Sequence, residues 1–207
     1  VIAPSLSTTG ASGEFQRVAV DVDQIYFVVK RTINSGTKYY VECFNDDNTT
    51  DSCILFSGGT KPSSTSLSGL SHLEGQTVKV VADDAMQTDK TVSSGAITLD
   101  SVPSTYVEVG IDYTPTIKTM PLELKLPSGN TVAQKKRIIE ATALMYLSQN
   151  LSLNGNDFTF TSGQFYTGKK RRKPMLGYDR EGQMTFSQTE PLFFTLLGVE
   201  YKVSVGQ

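Results

Sequence analysis

From Phe15 onward the chain is a succession of short apolar stretches cut by Gly, Asn, Asp and Ser. Phe15 to Val22 (FQRVAVDV) places Val18, Val20 and Val22 at a two-residue repeat, the period of a strand with one apolar face. Ile25 to Ile33 (IYFVVKRTI) is mostly β-branched and aromatic and predicts a well-buried strand. Asn34-Ser35-Gly36 supplies a turn with Gly36 available for positive φ, and Lys38 to Phe44 (KYYVECF) returns. These two strands make the clearest hairpin in the sequence. Asn45 to Ser52 predicts a polar loop and Cys53 to Phe56 a short strand. Ser57 to Ser71, rich in Gly, Ser and Thr, predicts a flexible loop or a junction between subdomains.

Thr77 to Ala82, Lys90 to Val92, Ala96 to Leu99 and Thr105 to Val109 predict further strands, with turns at Asp83-Asp84 and Ser93-Ser94-Gly95. Tyr113 to Met120 alternates, but Pro115 limits it to an edge or a strand start. Pro121 to Leu126 carries Leu122, Leu124 and Leu126 on one face, and Pro127 to Asn130 is a turn. Asp157 to Thr161, Gln183 to Gln188 and Phe193 to Val205 complete the series, with Gly198 expected at a bulge. Short strands at a spacing of about ten residues indicate a sandwich or a barrel.

One stretch resists assignment. Thr131 and Gln134 fit a capping box, and the residues after them have good helix composition. Yet Ile139, Ala141, Ala143, Met145 and Leu147 are apolar at period two, with Glu140, Thr142, Tyr146 and Ser148 between them. Residues 132–149 therefore read as helix by propensity and as strand by period. The chain as a whole is expected to be all-β and mainly antiparallel. Its subdomains should be sandwich- or barrel-like, with at most one short helix. The expected division is a hairpin subdomain at 1–60 and a C-terminal β subdomain at 61–207, joined near 57–71.

Composition narrows the chemistry. The 207 residues carry 19 basic and 21 acidic side chains, one His, two Cys and no Trp. No apolar run approaches the roughly 18 residues that a membrane-spanning helix needs, so membrane insertion is not expected. The first residues show neither a basic start nor a long apolar stretch of a signal peptide. Cys43 and Cys53, ten apart, fit one hairpin and leave two outcomes open, a cross-strand disulfide or two thiols. In a protein made in the cytoplasm the thiols are the expectation.

Candidate catalysts are few. His72 stands beside Glu74 and near Ser71 in SGLSHLEG, but no nucleophile elbow surrounds it, and a turn histidine is expected. Asp46, Asp47 and Asp51 lack the glycine and terminal glutamate of a calcium loop, and a solvated hairpin tip is expected. Phosphate-binding glycine motifs are absent. No metal, cofactor or catalytic residue is therefore assigned, and an enzyme is not expected.

Charge is uneven along the chain. Residues 1–107 hold 7 basic and 12 acidic side chains, and residues 108–207 hold 12 and 9. Lys169, Lys170, Arg171, Arg172 and Lys173 form an unbroken basic run. Like charges repel, so an open, solvated loop over 168–174 is expected. Such a loop can meet nucleic-acid phosphates without reading sequence. Tyr166 and Tyr178 flank it, and Lys135-Lys136-Arg137 would add to it from the same face.

Four blocks together resemble one family. They are VDVDQIYFVVKRTINSGTKYYVE at 20–42, LSHLEGQTVKVVAD at 70–83, VGIDYTPTIKTMPLE at 109–123 and GYDREGQMTFSQTEPLFFTLLGV at 177–199. Their order and spacing resemble the C-terminal part of the tail nozzle, or tail tubular B, proteins of short-tailed bacteriophages, over roughly residues 15–205. The blocks carry no catalytic signature. The resemblance implies a C-terminal piece of a longer virion protein with β-rich, propeller-like repeats upstream. It implies a six-membered ring below the portal and adaptor, a hexamer through which DNA leaves the capsid. Partners would be other tail and adaptor proteins, and the location the virion tail, after synthesis in the bacterial cytoplasm. It also implies a long strand at 137–147, which moves the ambiguous stretch from helix to strand. The concentrated basic run departs from the family pattern.

A β-sandwich binding module for carbohydrate or adhesion is the competing expectation. Such modules present exposed aromatics on a flat face. Trp is absent here, and Tyr39, Tyr40, Tyr166 and Tyr178 are the available substitutes.

Overall fold

A computed structural model describes residues 13–123, 125–126, 129–130, 134–173 and 177–206. Thr131 of the expected cap, Pro127 and Ser128 of the expected turn, and Leu124 lie outside them. The described residues are all-β, with two single-turn 3₁₀ segments, Gly58–Thr60 and Ser71–Leu73. Every strand pairing among them is antiparallel and no sheet closes into a barrel.

The chain forms two compact units. The first comprises residues 1–114 with Glu190–Leu192, and the second residues 115–189 and 193–207. The expected junction at 57–71 falls inside the first unit. Leu67 and Leu70 of that stretch are buried in the unit's core, so the Ser- and Gly-rich sequence is packed chain.

In the first unit, β1 (Glu14–Asp21), β2 (Gln24–Ile33) and β3 (Gly36–Cys43) form a meander. Asn34 and Ser35, at φ 49° and 61°, make the two-residue turn whose twist suits a hairpin. β4 (Asp51–Ser57) leads on to β5 (Ser66–Ser68), β6 (Thr77–Ala82), β7 (Ala85–Met86), β8 (Lys90–Thr91), β9 (Ala96–Thr98) and β10 (Tyr106–Ile111). The main sheet runs β4-β10-β6-β7, with β8 also on β6, while β5 pairs β9. Alternation sends Val78, Val80 and Ala82 of β6 and Val107, Val109 and Ile111 of β10 into one cluster. Leu67, Leu70, Leu73, Val92, Ile97 and Leu99 close it, and Ile33 enters from β2.

In the second unit, β11 (Thr116–Lys118), β12 (Lys125–Leu126) and β13 (Gly129–Asn130) precede the longest strand, β14 (Lys136–Ser148). β15 (Ser152–Leu153), β16 (Asn156–Asp157), β17 (Tyr166–Arg172), β18 (Thr185–Ser187) and β19 (Thr195–Val205) follow. One sheet is β17-β14-β19 and another β11-β18-β15-β16. Ile138, Ala141, Ala143 and Met145 of the first sheet share a core with Leu153 and Phe186 of the second. This unit is thus sandwich-like, and β11 begins just after Pro115 at the sheet edge.

β14 is a strand, as period two indicates, but its inward set differs from the simple alternation. Register shifts lie between Ile138 and Glu140 and between Met145 and Ser148. Each shift inserts a residue and turns the side chains beyond it to the opposite face. Ile138 and Ser148 are therefore buried, whereas Ile139 and Leu147, both expected inward, are exposed. In β19 the irregularity falls at Leu197, skipped between Leu196 and Gly198 in the pairing, one residue from its expected place.

Candidate functional site

The basic run is not a loop. Lys169 to Arg172 belong to β17 and pair residue by residue with Leu144 to Ala141 of β14; only Lys173 lies past the strand. Backbone pairing to β14 outweighs the charge repulsion because strand alternation sends neighbouring cations to opposite faces. Lys170 and Arg172 turn inward. The Lys170 ammonium donates to the Thr159 carbonyl at 2.5 Å and stands 4.2 Å from the Tyr166 ring centre and 4.9 Å from that of Phe160. This is a cation held over aromatic faces. Arg172 donates from Nη2 to the Asp157 carbonyl, while its buried Nε has no partner among the described residues. Lys169, Arg171 and Lys173 are exposed. Lys169 meets Glu200 at 2.5 Å and Arg171 meets Glu140 at 3.6 Å.

The strand register adds Lys202, which linear reading did not join to the run, and brings in Arg137 of the second basic group. Thr142 pairs both Arg171 and Glu200, and Glu140 pairs Lys202. Arg137 pairs Ser204 and is exposed, as is Lys202. Arg137, Lys169, Arg171 and Lys202 thus share the outward face of the β17-β14-β19 sheet with Glu140 and Glu200. Of the second basic group Arg137 joins this face within the strand, and exposed Lys135 lies just before the strand. Lys136 is buried and donates to the Arg180 carbonyl at 2.7 Å.

The first unit holds a buried ionic cluster. Arg31, 1% exposed, donates from Nε and Nη2 to Glu42 at 2.6 and 2.7 Å and from Nη1 and Nη2 to Asp51 at 2.9 Å each. Burial works to lower the guanidinium pKa, but these four charge-assisted bonds raise it, and the side chain stays ionised. Buried Glu108, on central β10, accepts at Oε1 from the Thr49 and Thr50 amides at 2.9 and 2.7 Å and from the Thr50 hydroxyl at 2.5 Å. The turn at 49–50 is thereby fastened to the middle of the sheet. Sequence reading missed both features. The signal was Arg31 itself, which shares the parity of Ile25, Phe27, Val29 and Ile33.

The remaining candidates resolve into structure. His72 Nε2 lies 3.0 Å from the Ser52 carbonyl and its ring meets Tyr40 edge-on at 6.3 Å. Glu74 accepts from the Ser94 and Gly95 amides, so its carboxylate ties a turn. Asp51 is committed to Arg31, and no group of three metal-ligating side chains gathers among the described residues. Cys43 and Cys53 are free thiols. Burial, then the nearby Glu108 charge, pushes the Cys53 thiol up to about 12, which keeps it protonated. Of the four tyrosines considered for stacking, Tyr40 packs on the core and Tyr166 lies against Lys170. Tyr39 and Tyr178 remain exposed, in different units.

The β1-β2-β3 sheet leaves apolar side chains in solvent on both faces. Register places Val18 opposite Phe27 and Val20 opposite Ile25 on one face. On the other, Val28 stands opposite Val41, and Tyr39 opposite Lys30. Val18, Val20, Val41 and Tyr39 are 63–73% exposed. No protein-family model matches the chain, and no curated protein matches it.

Proposed function

We propose that the chain is a virion structural protein, part of the tail nozzle through which a short-tailed phage ejects its DNA. The observation that carries this reading is the β1-β2-β3 sheet. Residues 20–42, the first block resembling the nozzle family, are the end of β1 and the β2-β3 hairpin. Monomeric proteins rarely leave extended apolar area in water, and such area marks interaction surfaces. Neighbouring subunits of a homo-oligomeric ring, or the adaptor above it, are the partners that the reading supplies. The chemistry is passive: antiparallel scaffolds, buried polar fasteners and surfaces for assembly, with no cofactor.

Genomic context tests the reading. Portal and adaptor genes beside the gene for this chain are expected. A neighbourhood of secreted adhesins or carbohydrate-active enzymes, with no packaging or tail genes, would overturn it.

A further inference from the structure

We propose that the outward face of the β17-β14-β19 sheet contacts the phosphate backbone of duplex DNA, through Arg137, Lys169, Arg171, Lys173 and Lys202. The inference rests on the nozzle reading for its biological setting and on the sheet geometry for its residues. It divides the basic run. Lys170 and Arg172 spend their charge inside the unit on the Thr159 and Asp157 carbonyls, so they are structural. In their place Arg137 and Lys202, 32 or more positions away from Lys169 in sequence, join the face through the pairing of β14 with β19.

Four cations placed by register, with Lys173 exposed just past the end of β17, stand against Glu140 and Glu200, a local net charge of +3. The two carboxylates engage Arg171 and Lys169, and no ion pair among the described residues engages Arg137, Lys173 or Lys202. Alternate residues on a strand lie about 6.7 Å apart, and neighbouring strands about 4.8 Å. The cations therefore form a shallow array on a sheet surface, not a pocket. An array of point charges suits a polymer with dense, regular charge, since duplex DNA carries one phosphate charge per roughly 1.7 Å of axis. A folded acidic protein fits less well, because the centres of protein interfaces are depleted of charge. Thr142 and Ser204 lie among the cations, and they add hydroxyl donors for phosphate oxygens. Contact of this kind is sequence-blind and reversible, as passage of DNA requires.

The test is a salt titration of duplex binding by the full chain. If all five cations reach phosphates, affinity falls roughly 500-fold between 50 and 200 mM salt, a slope of about −4.5. The variant Arg137→Ser/Lys173→Ser/Lys202→Ser should lower the slope to about −1.8 and the fall to roughly 12-fold. These three side chains are exposed, so its far-UV circular dichroism should match the parent. Lys170→Met, checked for folding in the same way, should keep the parent slope. Three results would overturn the proposal: no duplex binding at 20 mM salt, an unchanged slope in the triple variant, or equal binding to vesicles rich in phosphatidylserine. None of them touches the genomic test, so the contact and the nozzle reading fail separately.

Discussion

Replacing Arg31 with Met should destabilise the first unit more than any exposed substitution in this chain. The guanidinium is fully buried and makes four hydrogen bonds of 2.6–2.9 Å to Glu42 and Asp51, whose side chains are about one-fifth exposed. Methionine fills much of the same space but leaves two carboxylates facing each other without their cation. Removing one member of a buried ionic cluster costs about 3–5 kcal/mol. For a chain of this size that is roughly 6–20 °C in melting temperature. The assay is thermal and urea unfolding followed by circular dichroism, with tyrosine emission as a second probe, since the chain has no Trp. Arg31→Met/Glu42→Leu/Asp51→Leu should recover most of the loss, because an apolar replacement of the whole cluster avoids the stranded charges. A single-variant cost below about 1 kcal/mol, the range of a surface pair, would refute the reasoning.

Gly110→Ala should cost about 1–3 kcal/mol in urea unfolding, because the added methyl overlaps the Thr50 hydroxyl and the Asp51 carbonyl; a neutral result would mean that the 49–51 turn yields freely. Thiol titration at pH 8 should count one reactive cysteine, exposed Cys43, in the native chain and two after unfolding, because Cys53 stays protonated; two fast thiols, or none under denaturing conditions, would contradict this. Asp100 is held down to about 2, first by its hydrogen bond from Lys90 and then by the Thr88 amide and hydroxyl. Because its folded pKa lies below the unfolded value of about 3.9, the stability it adds is complete above that value and is lost as pH falls toward 2. The urea midpoint of Asp100→Asn should therefore trail the parent at pH 7 and converge with it near pH 2, and a constant gap would count against the assignment.

The hairpin at 25–44 was legible because two strong apolar runs flank an Asn-Ser-Gly turn, although Asn34 and Ser35 take the positive φ expected of Gly36. The stretch 57–71 was not. Leu67 and Leu70 are single apolar residues among Ser and Gly, and they are buried in a cluster that includes Val107, Val109 and Ile111 of β10, more than thirty positions further along the chain. The basic run misled for a related reason. Charge repulsion is a local argument, whereas β14 supplies a backbone partner and two faces on which to separate the charges. In β14 the period was visible but the two register shifts were not, since nothing in the chain around Ile139 or Leu147 marks them. The cations of the β17-β14-β19 face obey the same rule. Lys169, Arg171 and Lys173 are visible as a run and Arg137 as part of a second basic group, while Lys202 joins them only through register.

A nozzle protein is built into the phage particle and stays there. Quantitative mass spectrometry of gradient-purified particles made from the genome that encodes this chain tests the nozzle reading most directly. Peptides of this chain are expected at a fixed ratio to those of the portal and adaptor, retained after high-salt washing. Particles that carry portal and adaptor peptides but none from this chain would contradict it.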